Sequence, residues 1–171
     1  MHALTPLSTA IKDLELIEWL VDNGADVNLG SRNDETALSS AIAYSNMDVI
    51  QHLLNRGTDL SRGDLVHCAA QRMNEVEAAS LIEALAHKRV DVNTYRYNNS
   101  TAFRWRAFFQ SGAPLHIACK RRSVLISRTL LECSADPYQK MLEAQELVPP
   151  TPYELAMASE NGDLIDLFRA I

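Results

Sequence analysis

Glycine is scarce in this chain, six residues in 171, and those six are scattered. No glycine-rich loop is available to cradle a phosphate. Cysteine is scarcer: Cys68, Cys119 and Cys133 form no Cys-x-x-Cys pair, and no two-histidine helix motif stands beside them. A zinc site would need one or the other, so no metal and no cofactor is expected. Three thiols in helix-like segments read as reduced cysteines of a cytosolic or nuclear protein, not as a disulfide framework. The two overlapping sequons in Asn98-Asn99-Ser100-Thr101 are discounted for the same reason. Long apolar runs are missing too, so no membrane span is expected. Lys12, Asp13 and Glu15 interrupt the N-terminus in a way that does not suit a signal peptide. Positive charge is outweighed, with 16 Lys and Arg against 22 Asp and Glu and a net charge of −6. That acidity argues against a nucleic-acid partner.

What the chain does have is repetition. Thr5-Pro6-Leu7-Ser8-Thr9-Ala10 returns as Thr36-Ala37-Leu38-Ser39-Ser40-Ala41 and as Asp64-Leu65-Val66-His67-Cys68-Ala69. It returns again as Ala113-Pro114-Leu115-His116-Ile117-Ala118 and Thr151-Pro152-Tyr153-Glu154-Leu155-Ala156. A second phrase follows the first four copies: Gly24-Ala25-Asp26-Val27-Asn28, Gly57-Thr58-Asp59-Leu60-Ser61, Arg89-Val90-Asp91-Val92-Asn93 and Ser134-Ala135-Asp136-Pro137. Each phrase has a physical sense. Thr5 and Thr36 can cap a helix by accepting from its unpaired first-turn N–H groups. Pro6, Pro114 and Pro152 suit that first turn, where the missing N–H costs nothing. Leu7 and Ala10, with their counterparts, share one helix face. Between the phrases, Leu16-Ile17 with Leu20-Val21, Val49-Ile50 with Leu53-Leu54, and Leu81-Ile82 with Leu85-Ala86 make one apolar stripe per second helix. Gly24 and Gly57 stand where a helix end wants a left-handed residue. Arg89 and Ser134 hold that slot elsewhere, and those ends are expected to be less well formed.

The two phrases and the apolar stretch between them resemble the ankyrin repeat, whose period is about 33 residues with a T-P-L-H-x-A signature. The resemblance implies an all-α solenoid of stacked helix–turn–helix units with hairpin-like connecting loops. Five degenerate repeats are expected at approximately 1–30, 31–61, 62–93, 112–138 and 149–171, in a single domain with an inserted loop at 94–111. It also implies a non-catalytic module that binds a partner protein or peptide. The alternative is a regulatory or targeting segment of a larger multidomain enzyme or transcription regulator, contacting its own chain. The first repeat begins within four residues of Met1 without a polar capping helix, and the chain stops at Ile171 as the last helix completes. Solenoid ends need caps, so an excised piece of a longer protein, or one with minimal caps, is expected.

Departures from the repeat are where individual function is sought. Repeat three is four residues longer than repeat two between its phrases, an excess placed around Gln71-Arg72-Met73-Asn74-Glu75. About twelve residues are inserted between Asn93 and Ala113, and the linker from Pro137 to Thr151 is enlarged and closes with Pro149-Pro150. The segment 94–109 holds six of the chain's eleven aromatic side chains and three arginines, with no carboxylate. Residues 84–128 carry nine Lys or Arg against Asp91 alone, a charge of +8, while the remainder carries seven basic and twenty-one acidic residues, −14. Phe108 and Phe109, nearest the repeat, are expected in the core. Arg104, Trp105 and Arg106 are expected to contact a partner of acidic or apolar-acidic character. The exposed slots of the repeat add Arg32, Asn33 and Glu35 at the second tip, Tyr44 after the first helix of repeat two, Arg72 in repeat three, and Lys120 and Arg121 in repeat four.

His67-Cys68 and His116-Ile117-Ala118-Cys119 lie inside the repeat signature, so no catalytic residue is assigned there. Asn28 and Asn93 each follow Asp-Val and have a leucine eight residues upstream, Leu20 and Leu85. That pattern is similar to the site used by asparaginyl hydroxylases acting on ankyrin repeats, although asparagine in this slot also closes a turn through its side chain.

Overall fold

The computed structural model describes residues 5–31, 33–97 and 110–171. Arg32, Arg104, Trp105, Arg106, Phe108 and Phe109 lie outside the described residues. Ten helices are present among the described residues. The first of each pair are α1 (Pro6–Thr9), α3 (Ala37–Tyr44), α5 (Leu65–Gln71), α7 (Pro114–Lys120) and α9 (Pro152–Met157). The second are α2 (Leu14–Asp22), α4 (Met47–Asn55), α6 (Glu75–His87), α8 (Val124–Glu132) and α10 (Gly162–Arg169). A short antiparallel hairpin, β1 (Met141–Glu143) with β2 (Glu146–Val148), lies between α8 and α9, with Leu142 opposite Leu147. The first helices stack one on the next, α1 on α3 through to α9, as a solenoid requires.

Side-chain caps start all the described helices except α5 and α7. Thr5 Oγ1 accepts from Ser8 N–H and Thr36 Oγ1 from Ser39 N–H, both at 3.2 Å. Thr151 accepts from Glu154 N–H at 3.2 Å while the Glu154 carboxylate accepts from Thr151 N–H at 2.7 Å, a reciprocal capping box. The second helices are capped just as regularly, by Asp13, Asn46, Asn74, Ser123 and Asn161. Such caps contribute about 1 kcal/mol each.

The helix ends correct one expectation. Arg89 (φ 63°) and Ser134 (φ 69°) adopt the same left-handed conformation as Gly24 (φ 90°) and Gly57 (φ 77°). Val90 N–H reaches Leu85 C=O at 3.0 Å and Ala135 N–H reaches Leu130 C=O at 2.9 Å, matching Ala25 N–H to Leu20 C=O at 2.9 Å. Closing the orphan carbonyls outweighs the ~1–2 kcal/mol that a side chain costs in this region. The extra length of repeat three likewise goes mainly into α6, which runs 13 residues against 9 in α4, with the α5–α6 connection only slightly enlarged.

One continuous apolar core runs through the stack. Leu7, Leu38, Val66 and Leu115 are buried, and so are Ala10, Ala41, Ala69, Ala118 and Ala156, where a methyl lets the neighbouring helix come close. Val49, Leu81, Ile126 and Leu164 occupy one slot in successive second helices and are 0–3% exposed. Leu16 holds the same slot in the first repeat and is 43% exposed, with no helix pair in front of it among the described residues.

Backbone carbonyls at the ends of the first helices are capped from the next repeat. The Ser45 hydroxyl donates to Ile11 C=O. The Arg72 guanidinium donates to Ile42 C=O at 2.7 Å and Ser45 C=O at 2.6 Å. Arg121 donates to Ala70 C=O at 2.6 Å and Arg72 C=O at 2.9 Å, and Asn161 to Arg122 C=O at 3.2 Å. The histidines of the repeat signature add a second link. The Nε2 of His67 bonds Gly112 C=O at 3.0 Å and that of His116 bonds Pro150 C=O at 3.2 Å, each in the segment entering the following repeat.

Leu53 and Leu130 are fully buried at the centre of their junctions. Replacing either by Ala is expected to cost roughly 2–5 kcal/mol. Urea unfolding checks this: midpoints unchanged at both positions would contradict the stacked core.

Candidate partner-binding cleft

The second hairpin tip is built by Ser31, Asp34 and Glu35. Ser31 N–H donates to Glu35 C=O at 2.9 Å, Asp34 N–H to Ser31 C=O at 3.0 Å, and the Ser31 hydroxyl accepts from both Asn33 and Glu35 N–H at 3.2 Å. The Asp34 carboxylate then fastens this tip to the third. It accepts from Arg62 Nη2 at 2.6 Å, from Arg62 Nε at 2.9 Å and from Gly63 N–H at 3.1 Å, while Arg62 also donates to Asn28 C=O at 2.6 Å. Gly63 has no substitute: its φ is 83°, and a Cβ would come within 2.8 Å of Ser39 Cβ and Thr36 Oγ1.

Beneath this tip lies a cleft of about 360 Å³ on the first-helix side of repeats one to three. Asn33 and Glu35 form its rim, Ser40, Tyr44 and Gln71 its helix wall, and Asp64, Arg96 and Tyr97 close it. Tyr44 is the last residue of α3, 75% exposed, so its ring is offered to whatever enters. Three of the sequence-derived contact residues, Asn33, Glu35 and Tyr44, are thus brought to one cleft.

Asp64 was not singled out by the sequence, and the structure gives it a distinct task. It stands in the slot where threonine caps α1, α3 and α9, yet it caps nothing in α5. With left-handed backbone (φ 48°), its carboxylate accepts from Tyr97 N–H at 2.8 Å, anchoring the inserted segment over repeat three. Burial raises its pKa, against the lowering effects of the Tyr97 bond and of the Arg96 charge. An acid in place of the capping threonine was the only signal.

The two irregular segments meet. Ser111 and Leu142 exchange backbone bonds at 2.7 and 2.8 Å, so the end of the insertion pairs with the hairpin strand β1. The Tyr95 hydroxyl donates to Lys140 C=O at 2.9 Å, the Ser111 hydroxyl to Arg96 C=O at 2.9 Å, and the Gln110 amide to Glu143 at 3.1 Å. Tyr95 on one side and Gln110 and Ser111 on the other are therefore held against the same hairpin and the residue that enters it. Lys120 is exposed beside it, its Nζ 3.9 Å from Met141 Sδ.

Two expected contact residues are corrected. Arg72 is 7% exposed, bonded to Ile42 and Ser45 carbonyls and to the Glu77 carboxylate at 2.8 Å through Nε. Arg121 is half-buried, with Ala70 and Arg72 carbonyls as partners. Both guanidiniums are committed to capping helix carbonyls, work that a slot count along the sequence does not distinguish from solvent exposure.

Asn28 and Asn93 bridge neighbouring tips. Asn28 Oδ1 accepts from Asp59 N–H at 2.7 Å, and Asn93 Oδ1 accepts from Asp136 N–H at 2.8 Å. No group of three or more His, Cys, Asp or Glu side chains suited to a metal gathers among the described residues. Burial pushes the Cys68 and Cys119 thiols up to about 12 and the His67 and His116 imidazoles down to about 4. At neutral pH these groups offer neither thiolate nor imidazolium.

Residues 2–64 match the family described as Ankyrin repeats (3 copies). Inversin of Canis lupus familiaris is 25% identical over 185 residues, which cover 92% of this chain and 17% of inversin. Residues 2–64 are thus identified as ankyrin repeats, and the helical stack has the architecture that ankyrin repeats imply. Ankyrin repeats generally mediate protein–protein interaction. The mitochondrial disaggregase of Bos taurus is 29% identical over 92% of the chain and 21% of its own length. The L-asparaginase of Dirofilaria immitis is 29% identical over 72% of the chain and 19% of its own length. The chain thus spans about a fifth of the length of these relatives. No helix among the described residues is long and apolar enough to cross a membrane.

Within the ankyrin stack the two histidines make stability depend on pH. Burial is the main cause of their depressed pKa values, against bonds to Gly112 and Pro150 carbonyls that favour the proton. The unfolded chain takes up protons as pH falls below about 6.5, and the folded chain does so only near 4. Their stabilising effect is therefore complete above about 6.5 and declines as pH falls from there to about 4. Urea midpoints at pH 7.5 and 4.5 should show that decline, and His67→Gln with His116→Gln should flatten it. An unchanged slope in the double variant would contradict the assignment.

Proposed function

We propose that this array is a non-catalytic module that seats a partner protein or peptide along its hairpin tips and first helices, with the basic, aromatic segment 94–111 as a second contact. The observation that carries this reading is the cleft beneath the second tip. Its rim holds the half-buried Asn33 and Glu35 and its wall the exposed Tyr44. Arg96 at one edge and Lys120 beyond it extend a region of +8 charge (residues 84–128), which favours a partner of acidic or apolar-acidic character. The tyrosine ring would meet the apolar part. The buried, neutral thiols and imidazoles support a non-catalytic role, and the three free cysteines fit a cytoplasmic or nuclear setting. Hydroxylation of Asn28 or Asn93 would act on a residue whose carboxamide is already bonded to the next tip.

A second reading has its own support. An asparaginase and a disaggregase are among longer proteins that contain a matching stretch. An array of this kind can serve as the regulatory or targeting segment of a larger enzyme or transcription regulator, holding a part of its own chain in the same cleft.

Affinity capture with the intact array, followed by titration of the captured partner, tests the proposal. Tyr44→Ala and Trp105→Ala should each weaken binding by about 2 kcal/mol, near thirtyfold, with little change in Tm. Added salt should slow association. Variants that lose Tm while affinity per folded molecule is intact would overturn the assignment of these residues as contacts.

A further inference from the structure

Asparagine ties the hairpin tips at two junctions, and at the junction between them serine stands in the same slot. Asn28 accepts from Asp59 N–H at 2.7 Å and donates to Gly57 C=O at 3.4 Å. Asn93 repeats both bonds two junctions further on, accepting from Asp136 N–H at 2.8 Å and donating to Ser134 C=O at 3.1 Å. In each case one primary carboxamide satisfies a backbone donor and a backbone acceptor two residues apart. Ser61 holds the slot at the junction of repeats two and three. Its hydroxyl turns back to the Asp59 carboxylate of its own turn at 2.7 Å, so it does not cross to the next repeat.

The backbone groups matching Gly57 C=O and Asp59 N–H at this junction are Arg89 C=O and Asp91 N–H. Their surroundings are the same: Arg89 has the left-handed backbone of Gly57, and the Asp91 carboxylate accepts from Asn93 N–H at 2.8 Å as that of Asp59 accepts from Ser61 N–H at 2.9 Å. Among the described residues, neither Arg89 C=O nor Asp91 N–H meets a protein partner. Together with Ser61 these two residues line a groove of about 400 Å³. Leu60 and Val90 supply apolar wall beside them.

We propose that this groove binds a primary carboxamide, the side chain of an asparagine presented by a partner peptide, which completes from outside the bridge that Asn28 and Asn93 make from within. The chemistry selects this class. A carboxamide carries an acceptor oxygen and a donor nitrogen on one carbon, matching Asp91 N–H and Arg89 C=O. A carboxylate has no hydrogen to give Arg89 C=O, and an ammonium cannot accept from Asp91 N–H. The site lies between the tips of repeats two and three and stands apart from the reading of the concave cleft.

The test uses the intact chain, with N-acetyl-asparagine methylamide and its aspartate counterpart as probes, in amide-resolved NMR titrations. The asparagine probe should produce a saturable downfield shift of the Asp91 N–H, with the aspartate probe giving at most a fifth of it at equal concentration. Ser61→Asn places the carboxamide in cis. That variant should abolish the probe-induced shift and slow exchange of the Asp91 amide at least fivefold. No saturable shift, equal shifts with both probes, or Ser61→Asn without slower Asp91 exchange would each overturn the proposal. Because no partner protein enters these measurements, their failure leaves the concave-cleft reading untouched.

Discussion

The carbonyls that end a helix have no partner inside it, and in this array the next repeat supplies one. Ser45, Arg72, Arg121 and Asn161 each reach back one repeat to bond the carbonyls that close the preceding first helix. The constraint is stringent because these helices are short, six to eight residues from α3 onward. Helices of that length are marginal in water by themselves. Packing of one apolar face against a neighbour stabilises them, and the backreaching side chain satisfies the polar ends that packing would otherwise bury. Junction stability and helix stability are therefore the same quantity here, as expected of a one-dimensional stack.

That arrangement explains how the array tolerates two large irregularities. His67 still reaches Gly112 C=O across an insertion of about twelve residues, so repeat four stacks on repeat three as though the chain were continuous. The excess chain leaves on the tip side, where Asp64 fixes Tyr97 and the hairpin at Met141–Val148 receives Ser111. A residue type that breaks the repeat signature thereby gains a use. The aspartate that no longer caps α5 holds the entry of the inserted segment, and the enlarged linker after repeat four holds its exit.

Much of the fold was legible because the repeat is a local rule applied several times. Threonine before proline announces the first helices, and leucine and alanine three apart mark their buried face. The ends at Arg89 and Ser134 were misjudged because propensity favours glycine in a left-handed slot, whereas two backbone bonds fix the conformation whatever the side chain. The site was legible in part. Asn33, Glu35 and Tyr44 sit where the pattern leaves a side chain unused, and the structure gathers them into one cleft. Arg72 and Arg121 fill slots of the same description, and only three-dimensional proximity to carbonyls of the preceding repeat shows that they are struts. Asp64 and the hairpin escaped sequence reasoning for a related reason, since their partners lie 33 residues away or in the other irregular segment.

The central claim is that coupling between repeats runs through side chains that cap the preceding helix's carbonyls. Native-state hydrogen exchange on the intact chain, compared with an Arg72→Met variant that keeps the aliphatic length and removes the donors, addresses it most directly. The account predicts that amide protection falls in α3 and α5, on the two sides of the junction Arg72 spans, while α7 to α10 keep theirs. Unchanged protection in α3 and α5, or a loss spread evenly over all five repeats, would contradict it.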